Sequence, residues 1–193
     1  MTGTPHLFAE YMPEPEHRSP APPGDLVLRA ARAEDAPALA RIAWERNGGL
    51  LPDHEAEFAR ALSAPPPAPD DLRVVALLGN EVAGYGRASR FAPAADAPPG
   101  AAPAGWYLFG VTVAPRFRRR GIARALTRAR LDHIARHADR AYYFASALNR
   151  ASIELHCEFG FVELTREFRF PGVSFTGGTG ILFVAPPAGW SKP

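Results

Sequence analysis

The chain has one cysteine, Cys157, and one lysine, Lys192, in 193 residues. A lone cysteine excludes an intrachain disulfide and any metal site built from several cysteines, and it fits a reducing cytoplasm. No apolar run approaches the roughly 18 residues that span a membrane. Residues 1–24 carry no long apolar stretch with an Ala-x-Ala pattern behind it, so they do not read as a secretory signal. Their proline and polar content reads instead as a disordered arm. Metal spacing is missing too: His133 and His137 share a helix face, but no third ligand accompanies them. Charge of one sign is not in excess either. The net charge of +2 argues against a protein that coats nucleic acid. The hydrophobic share of 47% is enough for one domain with an ordinary core.

The positive charge is concentrated in one place. Arg116, Arg118, Arg119, Arg120, Arg124, Arg128 and Arg130 crowd a single stretch. The β-branched run Val111-Thr112-Val113 ends at Ala114-Pro115, a basic turn follows, and a helix is expected from about Gly121. A helix start leaves N–H groups without intrahelical partners, and its dipole favours negative charge. Gly121 lets a phosphate approach the backbone, and Ala123 keeps the next position small. Strand, turn and helix start together form a seat for a phosphorylated ligand. The segment is not a Walker loop, because no Gly-Lys-Ser/Thr follows, and it lacks the three-glycine spacing of a dinucleotide fingerprint. A nucleic-acid patch is the rival reading of the charge. It would need interleaved aromatic residues, and Phe117 stands alone.

Periodicity orders the rest. Leu26 to Arg29 reads as a strand. Asp35 is the expected N-cap of a helix with Pro37 in its first turn, ended by Asn47-Gly48-Gly49. Asp53 to Ser63 reads as a second helix, and Ala64 to Pro69 as a connector. Leu72 to Leu78 and Glu81 to Phe91 form a hairpin about Gly79-Asn80. Ala92 to Gly105 reads as a mobile surface loop. Trp106 to Val113 is a strand, and Ile122, Leu126, Ala129 and Ile134 mark a long helix. Ala141 to Leu148 is a strand, Arg150 to Glu158 a helix, and Phe161 to Phe170 and Gly180 to Val184 a closing hairpin. The expected class is α/β: a mixed, mostly antiparallel sheet of six to seven strands with helices on both faces.

Two motifs carry a resemblance to a known family. Arg118-Arg119-Arg120-Gly121-Ile122-Ala123 resembles the pyrophosphate loop of GNAT-type N-acetyltransferases, Arg/Gln-x-x-Gly-x-Gly/Ala. Asn149 to Phe161 resembles that family's Asn-x-x-Ala/Ser-x-x-Leu-Tyr-x-x-x-Gly-Phe helix and turn. The motifs stand in the family's order. The likeness covers roughly Leu26 to Val184, which leaves an arm over 1–24, one domain over 25–185 and a tail over 186–193.

The resemblance implies acetyl-CoA as donor and direct transfer to an amine of a small molecule, peptide or protein. It implies that Val111, Thr112 and Val113 hold the pantetheine arm and acetyl carbonyl through the backbone. It implies that the N–H groups from Arg118 to Arg124 (Arg118, Arg119, Arg120, Gly121, Ile122, Ala123 and Arg124) hold the pyrophosphate. Asn149 is implied to touch the pantetheine, and it also suits a helix N-cap. Relatives often form homodimers, and no feature of the sequence decides that here.

The reaction needs an uncharged amine. For an alkylamine of pKa about 10.4, deprotonation at neutral pH costs about 4–5 kcal/mol, which a general base offsets. The family often places a glutamate on the strand that here reads Trp106 to Val111, and this strand has no carboxylate. Glu45, Asp53, His54 and Glu55 are the substitutes in reach of the acceptor side. The family's tyrosine acid is replaced by His156. If His156 is the acid, turnover falls as pH rises through its pKa. Packing within a helix is the plain alternative for His156, a buried small residue for Cys157, and core packing for Trp44, Phe91, Trp106 and Tyr107. The rival function is a non-catalytic acyl-CoA-binding or sensing domain.

Overall fold

The computed structural model describes residues 21–63, 70–175 and 177–186. Most of the expected arm, the connector Ala64 to Pro69 and most of the expected tail lie outside the described residues. Among the described residues, seven strands form one sheet and four α-helices pack on it. The strands are β1 (Leu26–Ala30), β2 (Asp71–Leu78), β3 (Glu81–Phe91), β4 (Gly105–Val113), β5 (Ala141–Ser146), β6 (Val162–Thr165) and β7 (Gly180–Ala185). The helices are α1 (Ala36–Asn47), α2 (Leu51–Ser63), α3 (Ile122–Ile134) and α4 (Arg150–Cys157). The sheet order is β1-β2-β3-β4-β5-β7-β6. Every neighbouring pair is antiparallel except β4–β5. The expected class and the order of elements both hold.

The alternation along β3 sends side chains to two faces. Tyr85 meets Phe58 of α2 edge-on, with ring centroids 5.4 Å apart. At the next residue, Gly86, an added Cβ would lie 3.0 Å from Arg130 Nε of α3. So α1 and α2 cover one face, and α3 and α4 the other. Toward α3, Leu108, Leu131, Ile134, Tyr143, Phe161 and Phe183 form a buried core. On the opposite face, Tyr107, Tyr142 and Leu182 pack with Phe91, Phe109, Phe144, Phe168 and Phe170.

The parallel pair is short. β4 and β5 match only at Trp106–Ala141, Tyr107–Tyr142 and Leu108–Tyr143. Beyond Leu108 the strands part. The cause lies on the other edge of β4. There the β3–β4 register steps from Gly86↔Val111 to Arg87↔Phe109 and skips Gly110, a β-bulge that bends the strand. Arg130 secures the bulge from below: its Nη1 donates to the carbonyls of Phe109 at 2.7 Å and Arg87 at 3.2 Å.

Three local expectations change. Asp35 stands before α1, but its carboxylate does not cap that helix. It accepts from the Arg32 N–H at 2.7 Å and takes both arms of the Arg29 guanidinium at 2.7 and 2.8 Å. A bidentate arginine is the stronger partner for a buried carboxylate. The strand expected over Phe161 to Phe170 ends at Thr165. After it, Phe168 and Phe170 fold over the aromatic cluster, where their rings lose more contact with water than in an edge strand. The loop Ala92 to Gly105 is tied down where it was expected to be mobile. Ala101 bridges Arg169, Ala102 N–H donates to Arg169 O at 2.9 Å, and the Tyr107 hydroxyl donates to Pro103 O at 2.7 Å.

Candidate active site

Where β4 and β5 separate, a cavity of about 600 Å³ opens. Its walls are Phe109 to Val113 of β4 and Tyr143 to Ser146 of β5, closed at one end by Phe117 and the start of α3. Val111, Thr112, Val113, Arg118, Arg119, Gly121, Ile122, Ala123, Arg124, Asn149 and His156 all line it. Of the residues singled out from the sequence, Arg120 does not. Arg120 is exposed, its guanidinium 5.8 Å from the Phe117 ring centre.

The α3 end is built for an anion. Gly121 is the N-cap in the left-handed region at φ 70°, and Arg119 also has positive φ, at 61°. Backbone that enters the left-handed region at alternate residues turns the intervening N–H groups toward one concavity. The Arg124 guanidinium pairs with Glu158 through Nη2, while its buried Nε has no hydrogen-bond partner among the described residues. Asn149 has the expected capping geometry, its Oδ1 accepting from Ser152 N–H at 3.3 Å.

His156 is 2% exposed, and its ring stacks on Tyr143 at 3.6 Å and 6°. Nδ1 donates to the Ser152 carbonyl at 2.7 Å. Burial, helped by the charge of Arg130, pushes the imidazole down to about 3. The ring is therefore neutral near pH 7 with its proton on Nδ1, and Nε2 is a buried acceptor with no partner among the described residues. A neutral ring in this tautomer has no Nε2 proton to give. That argues against the acid role the resemblance implied for it. Another group in the cavity keeps its proton: Tyr143, whose pKa burial raises, donates to Ser152 Oγ at 2.6 Å.

The His156 state has a measurable consequence. The folded pKa is below the unfolded value of about 6.5, so the group's stabilising contribution is complete above that pH. It is lost as pH falls toward 3, because only the unfolded chain takes up the proton. Between pH 6 and 4.5, unfolding free energy from urea titration is expected to fall more steeply than in His156→Phe. The extra slope approaches about 1.4 kcal/mol per pH unit. Equal slopes would mean that His156 is protonated in the fold, and would restore it as an acid.

The carboxylate substitutes do not reach the chamber. Glu45, Asp53, His54 and Glu55 are absent from its walls, and among the described residues no Asp or Glu lines it. His54 Nε2 instead lies 2.9 Å from Gly48 O. Trp106 and Tyr107 are core residues, and Phe91 packs on Tyr107 and Phe170. Cys157 is exposed, not buried as expected, because its neighbour His156 takes the inward face of α4. Sequence reasoning missed Arg46, Tyr143, Ser152 and Phe175. Only Ser152 had a signal, as the Ala/Ser position of the second motif.

A thioester ligand with a diphosphate fits this cleft on two observations. The α3 end gathers backbone N–H groups, and two buried polar atoms on cavity residues, Arg124 Nε and His156 Nε2, lack partners among the described residues. A mixed sheet split between its parallel strands, with a helix start at the base of the split, defines an acyl-CoA-dependent transferase. The family model described as Acetyltransferase (GNAT) family matches residues 36–161, and the chain belongs to that family. Acetyl-CoA is its donor. No curated protein matches the chain in sequence. Among solved structures, the chain is similar to the ribosomal-protein-S18-alanine N-acetyltransferase from Escherichia coli, at 20% identity and TM-score 0.60, covering 83% of this chain and 93% of that one. It is similar to Arabidopsis thaliana NAA60 in complex with acetyl-CoA, at 18% identity and TM-score 0.60, covering 83% and 98%. A GNAT-family acetyltransferase from Bacillus cereus gives 16% identity and TM-score 0.60, covering 84% and 98%.

Proposed function

We propose that this protein moves the acetyl group of acetyl-CoA to a primary amine by direct attack. The observation that carries the reading is the split between β4 and β5, which leads from the anion seat of α3 to the far face of the sheet. In this reading the N–H groups from Arg118 to Arg124 hold the pyrophosphate, each charge-assisted bond contributing about 1.5–3 kcal/mol. Beyond Leu108, β4 is free of β5, so backbone groups from Gly110 to Val113 hold the pantetheine arm and the acetyl carbonyl. Asn149 keeps the start of α4 in place and lies beside the same arm. Bound acetyl-CoA supplies the thioester whose acyl carbon is attacked. Tyr143 and Ser152 are the proton-bearing groups on the thiol side. His156 holds Tyr143 by stacking and the Ser152 carbonyl through Nδ1, and its Nε2, without a partner among the described residues, is left to accept from the bound donor. The lone cysteine is compatible with a reducing cytoplasm as the compartment in this reading.

Two features favour a non-catalytic acyl-CoA sensor as the second reading: the cavity has no carboxylate wall among the described residues, and His156 is neutral. Free thiol release from acetyl-CoA, measured with a panel of amines, separates the two. We expect release that depends on amine and saturates with acetyl-CoA. Tight binding without release for any amine would leave the sensor.

A further inference from the structure

We propose that the acceptor is an apolar or aromatic amine that also carries a carboxylate, an aromatic α-amino acid being the simplest, and that Arg46 holds the carboxylate. The proposal rests on the acetyltransferase reading above and concerns the end of the cavity away from α3.

That end is formed by Phe109, Phe144, Val173 and Phe175, with Arg46 reaching in from α1. The rings meet edge-on, Phe109 with Phe144 at 6.0 Å and Phe144 with Phe175 at 5.9 Å. Such a wall takes a flat or apolar side chain. Arg46 is half-buried, and its Nη1 donates to Thr112 Oγ1 at 3.0 Å. The same nitrogen lies 3.9 Å from where a Cβ on Gly110 would stand, so it borders the β4 backbone that faces the split.

Arg46 differs from comparable arginines here. Arg29 is paired with Asp35, Arg73 with Asp71 and Arg124 with Glu158. Arg46 has no carboxylate partner among the described residues. A guanidinium at the mouth of an apolar chamber, with one arm held by a threonine, presents its remaining N–H groups to an oxyanion. The same charge, with no acidic wall to offset it, repels a polycation such as a polyamine. A carboxylate on the carbon that bears the amine keeps both groups within reach of β4 and Arg46 together.

The test is acetyl-CoA turnover by the unaltered protein with L-phenylalanine, L-phenylalaninamide, phenethylamine and spermidine. We expect kcat/KM for phenylalanine to exceed that for phenethylamine and the amide by roughly a hundredfold, the scale of two charge-assisted bonds, with spermidine lowest. Arg46→Met should shrink the phenylalanine-to-phenethylamine ratio to under about tenfold, and Arg46→Lys, which keeps charge but not the fork, should retain part of it. A structural role alone would lower both rates alike and leave the ratio standing, which overturns the assignment to Arg46. Phenethylamine or spermidine turning over as well as phenylalanine overturns the carboxylate requirement and leaves the transferase intact. No release with any of the four overturns the aromatic amino-acid acceptor, and the transferase reading then stands or falls on release with the wider amine panel.

Discussion

Gly121→Glu is expected to abolish acetyl-CoA binding, with the Kd raised at least about a hundredfold in calorimetric titration. Two effects arise, one on the fold and one on binding. At φ 70° a side chain is strained by about 1–2 kcal/mol, a cost in stability. The glutamate also places a negative charge where the α3 N-terminus and the neighbouring arginines attract one. The chain pays no such penalty for Gly121→Ala, which keeps only the backbone strain. That variant should weaken binding by no more than about tenfold, through the Cβ crowding the phosphate, and the difference between the two isolates the electrostatic part. Both should melt as one cooperative transition, since Gly121 sits at the edge of the core. Wild-type affinity in Gly121→Glu would move the diphosphate away from α3 and remove the donor assignments with it.

Arg130→Met is expected to destabilise the fold by about 3 kcal/mol in denaturant titration and to reduce turnover sharply. Arg130 is fully buried, and burial pushes its guanidinium down to about 9, so it is still cationic at neutral pH. It has no carboxylate partner among the described residues; its N–H groups go to the Leu126, Arg87 and Phe109 carbonyls and to Thr127 Oγ1. Methionine fills a similar volume but leaves the Arg87 and Phe109 carbonyls bare, at about 1–3 kcal/mol each. Removing a desolvated cation offsets part of that. Those carbonyls flank the skipped Gly110, so the split between β4 and β5 should narrow or shift. Faster amide exchange at Val111 and Thr112 would report it. A variant more stable than the parent would show that the burial cost of the guanidinium exceeds the worth of its bonds, and that the bulge holds without it.

Signals local in sequence were legible. The strand, basic turn and helix about Gly121 are contiguous, so their chemistry could be read before their geometry. The order of strands and helices followed from periodicity for the same reason. The face of α3 was readable only in part. Ile122, Leu126, Arg130 and Ile134 recur every four residues and all are buried, but an arginine on an apolar stripe was passed over in favour of Ala129, which is half-buried. The acceptor end was not legible. Arg46 meets Thr112 across 66 residues, and no local pattern joins α1 to β4. His156 shows the other limit. Its position was readable, but its protonation depends on burial against Tyr143 and on Arg130, which only packing supplies. Cys157 is exposed because a single residue of helical rotation separates the inward face of α4 from the outward one, a step that composition does not reveal.

The cover over the aromatic face is a clasp between two surface segments. Arg169, between Phe168 and Phe170, is hydrogen-bonded to Gly100 and Ala102, and neither segment contributes to the α3 seat. The clasp instead anchors the segment that runs on through Val173, whose N–H donates to Phe170 O at 3.2 Å, to Phe175 in the cavity wall. A different clasp on the same sheet would therefore shift that wall while leaving the start of α3 as it is.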